Sequence, residues 1–167
     1  MEVHTARFGT LTVDENQIIR FTKGILGFEG IERYVLLPHG EESPFMFLQA
    51  VDVPELAFVV TDPTRFVPGY QVKVYADDLE GIEYAESDEV SILAIVRVPP
   101  DPREMTANLL APLVINMRNR LAKQVVQQDS SYSVRHRIAR DPDEDQVRGA
   151  AGPSGAAQPA PKLVRVG

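Results

Sequence analysis

The three histidines, His4, His39 and His136, have the chemistry for metal binding or proton transfer, but their spacing supports neither. None belongs to a His-x-x-x-His or His-Glu-x-x-His pair, the spacing that sets two imidazoles on one helix face. Cysteine is absent altogether, which excludes disulfides, thiolate nucleophiles and cysteine-ligated zinc or iron–sulfur centres. Ser130 and Ser131 lack the Gly-x-Ser-x-Gly elbow of a hydrolase nucleophile, and Asp129 beside them fits turn chemistry. Gly24-Ile25-Leu26-Gly27, preceded by Lys23, has the form of the Gly-x-x-Gly clamp of KH-type RNA binders. That clamp lies between helices in basic surroundings, whereas here strands, Phe28 and Glu29 flank it, so a packed loop is expected. No catalytic residue, metal or cofactor is expected.

Charge and aromatic surface remain. The formal net charge of −7 disfavours direct nucleic-acid binding and attraction to an anionic membrane, and it favours a basic protein partner. The acidity is concentrated in Asp77, Asp78, Glu80, Glu83, Glu86, Asp88 and Glu89, a stretch with no basic residue. Such a segment is either a solvated face or a surface that steers and pairs with a cationic partner. Phe45 and Phe47 share one strand face, as core or, if exposed, as interface anchors. Arg118, Arg120 and Lys123 cluster around a turn, where a solvated hairpin tip is the plain reading.

The elements that must carry these residues read mainly as strands. Short strands are expected in Val3 to Val13 around Gly9, then at Gln17 to Phe21, Arg33 to Leu37, Phe45 to Val51, Leu56 to Thr61, Tyr70 to Tyr75 and Glu89 to Pro99. In Phe45 to Val51 the alternation sets Phe45, Phe47, Gln49 and Val51 against Met46, Leu48 and Ala50. Asp77 and Asp78 suit the start of one short helix, where the positive end of its dipole favours them. A helix across Met105 to Met117 would hold Pro112 in its interior at a cost of roughly 3 kcal/mol, so Pro112 to Met117 is expected as a strand. Asn119-Arg120 then turns the chain into a second strand from Ala122 to Gln127. At 167 residues, 44% hydrophobic and 25% charged, one self-sufficient domain is expected. The fold class is all-β and mainly antiparallel: a small β-barrel-like domain over 1–140, one short helix, and a tail over 141–167 with the composition of a disordered segment. The N-terminus lacks a signal-peptide pattern and no run reaches membrane-span length, so the cytoplasm is the expected location.

Several phrases carry a family likeness: Phe21-Thr22-Lys23-Gly24-Ile25-Leu26-Gly27-Phe28-Glu29, Ser43-Pro44-Phe45-Met46-Phe47-Leu48-Gln49-Ala50, Leu56-Ala57-Phe58-Val59-Val60, Ile92-Leu93-Ala94-Ile95-Val96, Met105 to Asn116, and Lys123-Gln124-Val125-Val126. In order and spacing they resemble the flagellar assembly factor FliW family over roughly Met1 to Ile138. The resemblance implies a cytoplasmic, non-enzymatic regulator and chaperone, monomeric when free, that binds unassembled flagellin and also the translational repressor CsrA. Flagellin accumulation would then free CsrA to repress flagellin synthesis, by competition for one protein. Asp77, Asp78, Glu80 and Glu83 are expected to contribute an acidic field against CsrA's RNA-binding surface. Phe45, Phe47, Gln49, Asn108 and Leu110 are expected as contact or contact-supporting residues. The rival class is a small β-barrel enzyme such as a split-barrel flavoprotein, whose phosphate would need Arg118, Arg120 and Lys123 as a basic cluster.

Overall fold

The computed structural model describes residues 1–128, 131–138 and 162–165. In chain order these form β1 (Glu2–Thr5), β2 (Gly9–Thr12), β3 (Ile19–Phe21), β4 (Arg33–Pro38), β5 (Phe45–Ala50), β6 (Ala57–Thr61) and β7 (Gln71–Val74). A short helix α1 (Ala76–Gly81) follows, and then β8 (Val90–Arg97), β9 (Thr106–Ala107), β10 (Leu113–Asn116), β11 (Leu121–Gln124), β12 (His136–Arg137) and β13 (Lys162–Arg165).

Strands β10, β11, β3, β4, β5, β6 and β8 pair in that order, and β8 pairs back onto β10 to close a seven-stranded barrel. Every pair in this ring is antiparallel except β11 with β3. Closure leaves the ring without an open strand edge. β8 achieves it by dividing its length: Val90 to Leu93 face β10, while Ala94 to Val96 face β6.

Two-residue alternation decides what fills the barrel. Ile19, Phe21, Tyr34, Leu48, Ala50, Val60, Leu93, Leu113, Ile115 and Ala122 form one buried cluster, with Met46, Phe58 and Ile95 against it. The intervening residues point outward and are covered in turn. Val72 and Val74 of β7, with Ile82, pack on Ile92, Ala94, Val96 and Val114. On another side the β1–β2 hairpin lays Val3 and Val13 over Val35 and Val51. Each large aliphatic or aromatic side chain fully buried this way contributes about 1.5–3 kcal/mol. Tyr34 lies inside the barrel, and burial pushes its phenol up to about 12.

The expected strands are found, but β11 ends at Gln124 and not at Gln127, and Gln17 lies in a 3-10 turn before β3; Pro112 sits buried immediately before β10, where pairing begins. Arg120 takes φ +62° in the turn between β10 and β11. The loop after β3 is packed through Ile25, and the half-exposed Phe28 sets its ring edge-on to Phe58 at 5.2 Å, while Leu26 stays exposed. Gly24 holds that loop closed at φ +68°, and a Cβ there would overlap the Glu29 backbone. The expected tail lies almost wholly outside the described residues. Its four described residues form β13, parallel to β7, a pairing that composition does not announce.

Candidate functional site

The chain leaves β7 directly into α1, which lies beside β11. Tyr75 N–H donates to Asp78 Oδ2 at 2.9 Å, and Lys123 Nζ donates to Asp78 Oδ1 at 2.7 Å, so one carboxylate both starts the helix and ties it to the barrel. This pair is largely screened from solvent, with side-chain exposures of 18% and 14%.

The far end of the acidic stretch is clamped by the β10–β11 turn. Arg118 Nε donates to Asp88 Oδ1 at 2.7 Å, and its Nη2 donates to the Glu83 carbonyl at 2.7 Å. Asn116 Nδ2 donates to Asp88 Oδ2 at 3.0 Å and to the Ile82 carbonyl at 3.1 Å, and Asn119 Nδ2 reaches the same carbonyl. Ala85 N–H donates to Asp88 Oδ2 at 2.8 Å. The Asp88 side chain is thereby only 3% exposed, and the Arg118 guanidinium, with the Ala85 N–H, holds its carboxyl at about 2.

These pairings correct the picture of a solvated hairpin tip: Arg118 and Lys123 are committed to Asp88 and Asp78. Asp77, Glu80 and Glu83 stay exposed along α1 and the turn after it. A cleft of about 640 Å³ opens between α1 and β11, lined by Tyr75, Asp77, Asp78, Lys123, Gln124 and Val126 among others. Tyr75 and Val126 are 38% and 51% exposed there. Gln124 links the cleft to the Gly24–Gly30 loop, for its Oε1 accepts from Leu26 N–H at 2.9 Å while its Nε2 donates to the Ala111 carbonyl at 3.0 Å. Leu26 is 60% exposed. Tyr75 and Val126 thus set two exposed apolar side chains among the acidic and amide groups of the cleft.

The remaining candidates lie elsewhere. Phe45 is half-buried and stacks on Phe66 with ring centroids 5.9 Å apart. Phe47 is buried beneath Phe8, His39 and Arg7, whose guanidinium lies 4.9 Å from the ring centre. Gln49 is wholly buried, with Nε2 within hydrogen-bond reach of the Ala50, Val53, Pro54 and Leu56 carbonyls. It fastens the β5–β6 connection, so Phe47 and Gln49 support a surface rather than form one. Asn108 accepts from Ala111 N–H through Oδ1 at 3.0 Å, and the Leu110 carbonyl accepts from Gln127 N–H at 2.7 Å; both shape the approach to β10. Of the nine residues singled out in the sequence, Asp77 and Asp78 line the cleft, while Glu80 and Glu83 are exposed on α1 and the turn after it, outside that lining. Tyr75, Val126, Leu26 and Gln124 are additions. Val126 lies just beyond β11, exposed beside the buried Val125.

Fold and site together define a small closed β-barrel protein, with no cluster of metal-ligating side chains among the described residues. The sequence model described as FliW protein matches residues 2–138. The flagellar assembly factor FliW of Magnetococcus marinus is 39% identical over 149 residues, covering 89% of this chain and 91% of that protein. That of Heliobacterium modesticaldum is 41% identical over 138 residues, covering 83% and 90%. A crystal structure of the flagellar assembly factor FliW superposes with a TM-score of 0.78 at 35% identity, over 84% of this chain and 98% of that one. The chain belongs to the FliW family of flagellar assembly factors.

Proposed function

We propose that this flagellar assembly factor is a partner switch: it binds unassembled flagellin as a chaperone, and when flagellin is scarce it binds and antagonises the translational repressor CsrA. The reading places it in the cytoplasm, monomeric when free, without cofactor or catalysis. The observation that carries it is the α1 shelf. Asp78 and Asp88 hold Lys123 and Arg118, so Asp77, Glu80 and Glu83 stay exposed outside those two ion pairs, near a cleft that also bares Tyr75 and Val126. A protein that binds RNA must expose cations, and an acidic shelf docked beside them repels the phosphate backbone. The flavoprotein alternative loses support here, because two of the three bases it needs, Arg118 and Lys123, are already paired.

Calorimetric titration with CsrA and with flagellin, each repeated in the presence of the other, tests the switch. Saturable binding to both with mutual exclusion is expected. Binding to flagellin alone would reduce the protein to an export chaperone and return the acidic shelf to a solvated face.

A further inference from the structure

β7 stands outside the barrel, and among the described residues its one strand partner is β13. A strand offers its N–H and C=O groups to opposite edges at alternate residues. One edge of β7 is already closed by a side chain: Lys73 N–H donates to Gln127 Oε1 at 2.8 Å, and Gln127 Nε2 donates back to the Lys73 carbonyl at 3.1 Å. The buried Gln127 amide thus stands in for a neighbouring peptide group. The groups of Val72 and Val74 face the other edge, where Lys162–Arg165 run parallel with Leu163 opposite Val72 and Arg165 opposite Val74. This edge is a rigid template. Val72 and Val74 are 0% and 1% exposed, and neighbouring Tyr70 is locked by its hydroxyl, which donates to the Leu109 carbonyl at 2.6 Å.

The strand that occupies this edge is not part of the family domain, whose match ends at Ile138. A relative with 98% of its own chain aligned to 84% of this one folds to the same barrel. The added segment, Lys162-Leu163-Val164-Arg165, places two aliphatic residues between two basic ones. Its C-terminal end lies opposite the end of β7 that leads into Tyr75 and the exposed Asp77. Leu163 packs against the cluster that holds Val72 and Val74.

We propose that the β7 edge is a strand-addition site, held at rest by the chain's own residues 162–165. A partner's extended segment of the same chemistry, an aliphatic pair flanked by basic residues and running parallel to β7, takes the edge over. Backbone pairing supplies the binding, Leu163's position supplies an aliphatic subsite, and the acidic start of α1 selects for cations. Being tethered, the resident strand competes at an effective concentration on the order of millimolar, so the tail sets a threshold that an incoming segment must exceed.

A labelled peptide covering residues 161–167 is titrated into the full chain, into a chain ending at Arg140, and into the full chain carrying Val164→Pro, which removes an amide that strand pairing uses. Saturable binding to the shortened chain, binding to the parent at least tenfold weaker, and recovery in Val164→Pro are expected. A peptide carrying Lys162→Glu and Arg165→Glu is expected to bind at least tenfold more weakly at low salt. Equal binding to the full and shortened chains, or none to either, overturns the proposal. So does a full-length dimer that Val164→Pro converts to monomer, since the strand would then belong to a second copy. Flagellin and CsrA play no part in this titration, so its failure and that of the partner switch are separate results.

Discussion

Asp88 is an acid of the charged stretch that serves structure instead of solvent. Its carboxylate accepts from Arg118, Asn116 and Ala85, and its pKa is held at about 2 against an ordinary 3.8. A carboxyl whose folded pKa is depressed contributes stability that is complete above its unfolded pKa and is lost as pH falls through the folded value. The melting temperature of Asp88→Asn is therefore expected to lie below that of the parent at pH 6, and the gap is expected to narrow from pH 5 toward pH 2. Circular dichroism melts across that range check it, and a gap independent of pH would show that the charge of Asp88 is not what holds the turn. In sequence Asp88 is one of seven indistinguishable acids. Arg118 and Asn116, which return from the hairpin thirty and twenty-eight positions on, single it out. Phe47 and Gln49 show the same limit: the alternation of β5 puts them on one face, but the Phe8 ring and the turn carbonyls that bury them come from other segments.

At the scale of the element, α1 is six residues long, too short to stand alone, and owes its place to Asp78 and Lys123. Its acids consequently separate into two kinds. Asp78 is structural, and replacing it tests the helix rather than the contact. Asp77→Asn with Glu80→Gln and Glu83→Gln removes exposed charge from residues outside the ion pairs. The triple variant is expected to melt within a few degrees of the parent, since isolated surface charges contribute little. Under the partner-switch reading it is also expected to bind CsrA on the order of tenfold more weakly at low salt, with a shallower salt dependence. Isothermal titration at two ionic strengths reads both quantities, and unchanged affinity at low salt removes the shelf from the interface. The helix and its strands are legible in the sequence because each follows from local periodicity and helix-start chemistry. The cleft is not, because Tyr75, Gln124 and Leu26 meet only once the barrel has brought β7, β11 and the loop after β3 together.

For the whole molecule, the closing bond of the structure is β8 on β10, and among the described residues those that fill the barrel lie before Gln128. Beyond Gln128 the outer layers draw, among the described residues, Tyr132 and Ile138 and from the tail Leu163, only partly buried against the β7–α1 cluster. Partial burial of one leucine contributes on the order of 1 kcal/mol, which for a domain of this size shifts a melting temperature by about 2–4 °C. A chain ending at Arg140 is therefore expected to unfold in one cooperative transition, with the denaturant slope nearly unchanged and the midpoint lowered by no more than a few degrees. Thermal and guanidinium denaturation of the two lengths check this. A drop of ten degrees or more, or a second transition in the full chain that the shorter one lacks, would make residues 162–165 part of the cooperative core. The strand on β7 could not then exchange with an incoming segment without unfolding the layer beneath it. A small shift leaves the barrel as a fixed frame and makes the β7 edge, like the α1 shelf beside it, a surface whose occupancy is set by competition.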